Sequence, residues 1–319
     1  MPRLLLRKKR KERRMADYDV LIVGGGPGGL AAGQYSARAG RKTAIVEEMS
    51  CGGQTMIIDE IENYPGLGRI SGFELAQKFE EQAQEFGCEV IYDQVQSIEQ
   101  TSDGEFKLNL FTSSVTSKAL IIATGAKHKV LGVPGEEQFT GHGVSYCATC
   151  DGPFFKGKKI LVCGGGDSAI QEAIYLSKLS DDVTVCHRRD AFRAQAGVVN
   201  KLKATKAKFK MNQNVVSING TEGKVSSVTF LNKDTNEEYT EDFDGVFVFV
   251  GMEPKSEIVP MCEKDSAGYI VTDETMMTSV KGIFAVGDVR NTPFRQIVTA
   301  ASDGAIAAHY ASEFIDSLK

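Results

Sequence analysis

The pattern of apolar and polar positions becomes regular at Tyr18. Past Asp19, the residues VLIV of YDVLIV make a short apolar run, which predicts a strand. It stops at three successive glycines and resumes as PGGLAAGQYSARAG, an alanine-rich helical stretch, before KTAIVEE predicts a second strand. The same order returns 140 residues later: KKILVCGGG reads as strand and glycine turn, SAIQEAIYLSKL as helix, and VTVCHRRDAFR as a second strand with a different ending. Strands alternating with helices in this way predict an α/β class. No apolar run approaches the roughly 18 residues that would span a bilayer.

The two turns differ in their chemistry. In the first, Gly24, Gly26 and Gly29 match G-x-G-x-x-G between strand and helix. One glycine makes the tight turn, one admits a pyrophosphate against backbone N–H groups, and one lets helix and strand pack closely. Glu47, at the end of the second strand, stands where a ribose hydroxyl needs an acceptor; Glu48 reads as its solvated neighbour. In the second, Gly164, Gly166 and Ala169 give G-x-G-x-x-A, and His187, Arg188 and Arg189 replace the acid, with Arg193 following. A carboxylate would repel a 2′-phosphate and guanidinium groups would bind one, so the second site is expected to take NADPH and the first a dinucleotide with a free ribose. The competing reading of HRRDAFR is a solvated basic cluster.

Two dinucleotide sites suggest electron transfer from a nicotinamide to a flavin, and such a chain needs a third carrier. The 319 residues suit two domains, and seven cysteines spread thinly along them point to a reducing compartment, with cytoplasmic location expected, rather than a secreted disulfide scaffold. Only Cys147 and Cys150 form a Cys-x-x-Cys pair. A zinc site would want a second pair of ligands, and four histidines at scattered positions do not supply it. A structural clip over two residues constrains little. A redox-active dithiol is favoured. Asp151 could exchange protons with it, or could be an ordinary turn residue in DGP. Residues 2–14 carry eight Lys/Arg against one acid in a chain of net charge −5; the stretch reads as a disordered tail or upstream start preceding Met15, and less readily as a membrane or nucleic-acid contact.

The blocks GGGPGGLAAGQYSARAG, CGGQT, ENYPGLGRISGFELAQKFEEQAQEFG, LIIATGA, GVSYCATCDGPFFKGKKILVCGGGDSA, HRRDAFRA, GIFAVGDVR and RQIVTAASDGAIAA together carry a resemblance. The chain is similar, from about residue 16 onward, to the low-molecular-weight thioredoxin reductases, flavoproteins with two dinucleotide domains. The resemblance implies two Rossmann-like domains of the three-layer ββα type, with the NADPH domain inserted into a discontinuous FAD domain: a tail at 1–15, FAD domain at 16–127 and 252–319, NADPH domain at 128–251. It further implies that FAD is held by Gly24, Gly26, Pro27, Gly29, Glu47, Gly53, Gln54, Asn63, Thr124, Gly125, Gly287, Asp288, Arg295 and Gln296. NADPH would be held by Gly164, Gly166, Asp167, Ser168, Ala169, His187, Arg188, Arg189 and Arg193. Cys150 would face the flavin, Cys147 would attack the partner disulfide, and Asp151 would serve as acid and base. Thioredoxin or a thioredoxin-like protein is the implied substrate, in a homodimer without metal, membrane or nucleic acid.

Because the dithiol and the nicotinamide site ride on one domain while the flavin sits on the other, a hinge is expected near 126–129 and 250–253. Three other readings compete. A flavoprotein exchanging electrons between ferredoxin and NADP has no use for CATC, a dithiol enzyme fed by ferredoxin or NADH has no use for HRR, and a redox sensor would bind nucleotide without turnover.

Overall fold

A computed structural model describes residues 16–58, 61 and 63–319. The basic stretch 2–14 lies outside the described residues. In chain order the first unit runs β1 (Tyr18–Val23), α1 (Pro27–Arg38), β2 (Thr43–Glu47), α2 (Gly72–Glu85), β3 (Glu89–Tyr92), β4 (Val95–Gln100), β5 (Phe106–Leu110) and β6 (Ser114–Ile122). These strands form a sheet in the order β3-β2-β1-β6-β5-β4, and a seventh strand from the far end of the chain, Ile283–Ala285, pairs parallel with β6. The alternation of side chains along a strand explains the apolar run Val20–Val23 of β1. Val20 and Ile22 enter one core with Leu30, Ala307 and Ala311, while Leu21 and Val23 enter another with Phe106, Leu108 and Ile270.

The chain then enters β7 (Ala126–His128), β8 (Val144–Ser145), α3 (Ala148–Asp151), β9 (Ile160–Gly164), α4 (Asp167–Leu179), β10 (Val183–His187), α5 (Ala196–Lys203) and β11 (Lys208–Met211). It continues through β12 (Gln213–Thr221), β13 (Lys224–Asn232), β14 (Glu237–Asp242) and β15 (Gly245–Phe249), and returns by β16 (Met252–Pro254) to β17 (Ile283–Ala285) and α6 (Ile297–Ser317). A parallel sheet in the order β11-β10-β9-β15-β8 carries the helices on one face and the antiparallel sheet β12-β13-β14 on the other. The three layers are the ββα arrangement that the sequence resemblance implies. The second strand of this unit ends at His187, so the arginines that follow leave the sheet.

Between the two sheets the chain crosses twice, and the crossings pair. β7 and β16 form a two-stranded antiparallel ribbon in which Ala126 faces Pro254, Lys127 faces Glu253 and His128 faces Met252. In the first unit, α1 and α6 pack through small residues. A Cβ on Gly304 would lie 2.2 Å from the carbonyl oxygen of Gly28, so the two helix backbones touch directly.

Gly304→Ala should therefore destabilise the protein by about 1–3 kcal/mol through overpacking, seen as a fall in Tm. Gly197→Ala, at an exposed position of α5 where a Cβ meets nothing within 4 Å, should leave Tm unchanged or raise it. Equal shifts in the two variants would contradict the close-packing account.

Candidate functional site

Where β1 ends, the turn folds back on β6. A Cβ on Gly24 (φ +103°) would lie 2.5 Å from the carbonyl oxygen of Ala123, so only glycine lets the turn pass this close to the neighbouring strand. Gly26 caps α1 without any side-chain hydrogen bond, and the space in front of its Cα is open. The helix thus presents unfilled N–H groups to a cleft of about 830 Å³. Glu47 stands beside it, one carboxylate oxygen accepting from Gly25 N–H at 2.7 Å and the other from Met49 N–H at 3.3 Å.

Gly24, Gly26, Pro27, Glu47, Gly53, Gln54, Asn63, Thr124, Gly125, Gly287, Asp288, Arg295 and Gln296 all line this one cleft. Gly29 lies behind the turn, where a Cβ would come within 2.0 Å of Gly24 O. Several of these side chains hold one another or the backbone in place. Gln54 Nε2 donates to Ala126 O at 2.5 Å, Thr124 Oγ1 to Lys255 O at 2.6 Å and Asn63 Nδ2 to Gln296 Oε1 at 2.9 Å. Burial pushes the Asp288 carboxyl up, against the pull of Arg295. The Arg295 guanidinium lies 4.0 Å from the centre of the Tyr269 ring, with its buried Nε unbonded to any described residue. A narrow turn, an acid at the strand end and the half-buried carboxyl of Asp288 lining the cleft match the phosphates, ribose and ribityl hydroxyls of FAD.

The second turn repeats the design on β9 and α4. Gly166 caps α4 with no side-chain hydrogen bond and open space before it. A Cβ on Gly165 would fall 2.3–2.6 Å from atoms of the His187 ring, so the imidazole lies flat against the turn. Its buried Nε2 has no partner among the described residues. Burial lowers the pKa of His187, and Arg193, Arg189 and Arg188 lower it further. These three arginines are exposed, as a 2′-phosphate site requires. Asp167 has a structural role that the sequence does not reveal: its Oδ1 accepts from Gln195 N–H at 2.9 Å, tying α4 to the start of α5. Ser168 is exposed in the first turn of α4 and Ala169 is buried beneath it. A buried nitrogen without a partner among the described residues, an open helix end and three exposed arginines fit an NADP-type dinucleotide.

Cys147 is disulfide-bonded and half-buried; the side chain of Cys150 lies outside what is described. Ser145 Oγ accepts from Cys147 N–H at 3.0 Å and donates to Cys147 O at 3.1 Å, a tight hold on the loop. Asp151 N–H donates to Cys147 O at 3.1 Å, closing one turn of helix over the CATCD block. Two features here escape sequence reading. Phe154, three residues beyond Asp151, is 74% exposed beside the dithiol loop. Gln171, Glu172 and Tyr175 of α4 line the cleft of the first unit, whereas Cys147 does not line it. Burial pushes the Glu172 carboxyl up.

Residues 18–304 match the pyridine nucleotide-disulphide oxidoreductase family. The thioredoxin reductase of Treponema pallidum (strain Nichols) is 48% identical over 305 residues, covering 95% of this chain and 99% of the relative. The chain belongs to this family, among its thioredoxin reductases. The crystal structure of Lactococcus lactis thioredoxin reductase, in what is described as the FR conformation, superposes with a TM-score of 0.85 at 44% identity, covering 94% of this chain and 99% of that one. The thioredoxin reductase structure from Streptococcus pyogenes MGAS5005 is 47% identical over 94% of this chain and 98% of its own, with a TM-score of 0.69. Two relatives of nearly equal identity thus differ widely in superposition.

Replacing Glu47 by alanine removes the acceptor at the strand end of this thioredoxin reductase cleft. FAD retention should weaken by about tenfold, the scale of a hydrogen bond to a charged group, read as lower flavin absorbance per protein after gel filtration. Full retention would remove Glu47 from the binding role.

Proposed function

We propose that the chain is an NADPH-dependent thioredoxin-disulfide reductase in which Cys147 and Cys150 form the redox-active pair. The observation that carries this reading is the placement of a disulfide-bonded Cys147 on the same unit as the glycine turn flanked by His187, Arg188 and Arg189. The reaction takes in NADPH and a proton, releases NADP⁺, and converts the disulfide of thioredoxin to two thiols. FAD, when bound, supplies the two-electron relay between nicotinamide and protein disulfide.

The chain's own residues account for the rest. The open ends of α1 and α4 receive phosphate, Glu47 receives ribose hydroxyls, and the arginines select the 2′-phosphate. In the reduced enzyme the Cys147 thiolate attacks one sulfur of the thioredoxin disulfide and the other sulfur leaves as a thiol. The Cys150 thiolate then breaks the mixed disulfide, restoring the Cys147–Cys150 bond and releasing reduced thioredoxin. Asp151 accepts and returns the proton as the thiols form and ionise. Exposed Phe154 gives the incoming protein an apolar foothold at the dithiol.

In this arrangement α4 faces the cleft and Cys147 does not, which supports a rotation of the unit at 128–251 about the β7–β16 ribbon, bringing α4 and the dithiol to the cleft in alternation. The spread of TM-scores among relatives of similar identity supports the same reading. The units at 16–127 and 252–319 then form the FAD domain. No helix among the described residues is long and apolar enough to cross a membrane, and a cytoplasmic homodimer acting on thioredoxin or a thioredoxin-like protein completes the proposal.

The deciding experiment is stopped-flow reduction of the flavin by NADPH and NADH, followed by turnover with thioredoxin. Fast reduction by NADPH alone, with turnover, is expected; equal rates with NADH, or none with either, would favour another donor. Arg188→Ala together with Arg189→Ala should erase most of the preference for NADPH, at about 1.5–3 kcal/mol for charged hydrogen bonds lost. Cys147→Ser should abolish thioredoxin reduction and leave flavin reduction by NADPH within about twofold. Loss of flavin reduction in that folded variant would contradict the assignment of Cys147 as the outgoing thiol.

A further inference from the structure

Glu136 is only 3% exposed, and burying a carboxylate is costly unless its oxygens are filled. Leu131 N–H donates to its Oε1 at 2.8 Å and Gly132 N–H to its Oε2 at 2.7 Å. The third donor is the phenol of Tyr146, at 2.9 Å from Oε1. The three donors belong to two separate segments. Leu131 and Gly132 lie just beyond β7, the first strand of the ribbon, with Lys129 and Val130 between, and Tyr146 is the residue before Cys147.

The Tyr146 ring makes a second link to the ribbon. It stacks on the imidazole of His128, the last residue of β7, with ring centres 6.1 Å apart and planes inclined by 26°. Phenol hydroxyl and ring face therefore both hold the residue preceding Cys147 to the end of the ribbon. On the other side, Ser145 Oγ bonds both the N–H and the carbonyl of Cys147. The ribbon, the 131–132 backbone, Glu136, Tyr146 and Cys147 form one continuous series of contacts.

We infer that Glu136 and Tyr146 are positioning residues that fix the dithiol loop to the ribbon, so that Cys147 is carried as one body with the hinge. The inference rests on the disulfide-reductase reading above. Neither residue belongs to the reacting pair, and both act through the loop that carries Cys147. Thiol–disulfide exchange needs sulfurs aligned at close range, and small displacements of a reacting group are costly in rate. A loop free to slip against the ribbon would arrive misaligned. The open end of α4, which receives phosphate in this reading, is held to the sheet by Ile170 and Ala173 in one core with Ile160 and Val162 of β9 and would be unaffected.

The test is Tyr146→Phe in the holoenzyme, which keeps the ring on His128 and removes only the hydroxyl. Thioredoxin turnover should lose about tenfold in kcat, the scale of one hydrogen bond to a buried charge, with KM for thioredoxin and flavin reduction by NADPH both within about twofold of the parent. Glu136→Gln should act in the same direction, and the double variant should fall well short of the product of the two losses, because both remove one contact. A readout independent of turnover is alkylation of Cys147 by iodoacetamide after reduction with dithiothreitol. Its rate should rise severalfold in Tyr146→Phe if the loop is released. Parental kcat and parental alkylation rate in Tyr146→Phe would overturn the inference, as would an equal fall in flavin reduction and turnover. If the parent enzyme itself does not reduce thioredoxin, the functional reading fails, and the alkylation rates alone decide whether the loop is held.

Discussion

Backbone against backbone, at distances that only a missing side chain permits, is the constraint on which the rest of this molecule is built. A Cβ on Gly29 would sit 2.0 Å from the carbonyl oxygen of Gly24, so the first turn of α1 is pressed onto the turn that precedes it. That contact aims the helix end at the cleft. It also sets how α1 lies across the sheet, and so where α6 can pack against it through Gly28 and Gly304. The second unit reaches the same geometry with a small difference. Ala169 takes the third position, and its methyl would meet a Cβ on Gly164 at 2.6 Å, so the burden of close approach falls on Gly164. In both units a helix N-terminus without a side-chain cap is the result, and unfilled N–H groups that would be a defect elsewhere are suited here to receive a phosphate.

What the sequence makes legible follows this logic closely. Local devices, such as the two glycine turns, the acid at the end of β2 and the basic residues at the end of β10, are set by spacing along one short segment, and they can be read without knowing the partners. Alternate burial of Val20 and Ile22 on one face and Leu21 and Val23 on the other explains why the strand reads as a continuous apolar run. The resemblance adds what spacing cannot: that residues as distant as Gln54, Thr124 and Gln296 line the same cleft. It cannot add the hydrogen bond between Asp167 and Gln195, since a carboxylate in a helix's first turn looks the same whether it faces a ligand or, as here, a backbone amide.

The unreadable remainder is long-range. Gln171, Glu172 and Tyr175 occupy an ordinary amphipathic helix, and nothing in their spacing shows that this face meets the cleft of the other unit. Glu136 is similar. In PGEEQF it is one of two adjacent acids in a polar turn, and its neighbour Glu137 is exposed. Only the fold, by bringing residues 131, 132 and 146 around it, turns one of the two into a buried anchor.

The ribbon gives these separate parts a common purpose. Three residue pairs, Ala126 with Pro254, Lys127 with Glu253 and His128 with Met252, form the ladder where the chain passes between the units. Its one ion pair, Lys127 with Glu253 at 3.3 Å, is half-exposed on both sides and contributes little to stiffness. So short a ladder is a poor clamp against bending and twisting. Fidelity of motion must then come from the bodies at its ends, and each end has its own fastening. Gln54 reaches from the cleft to the carbonyl of Ala126, and Tyr146 rests on His128 while Glu136 holds the backbone just beyond. A flexible link between two well-fastened ends permits a large rotation with small positional error at the cysteine, which is what the proposed alternation of two carriers at one cleft would require.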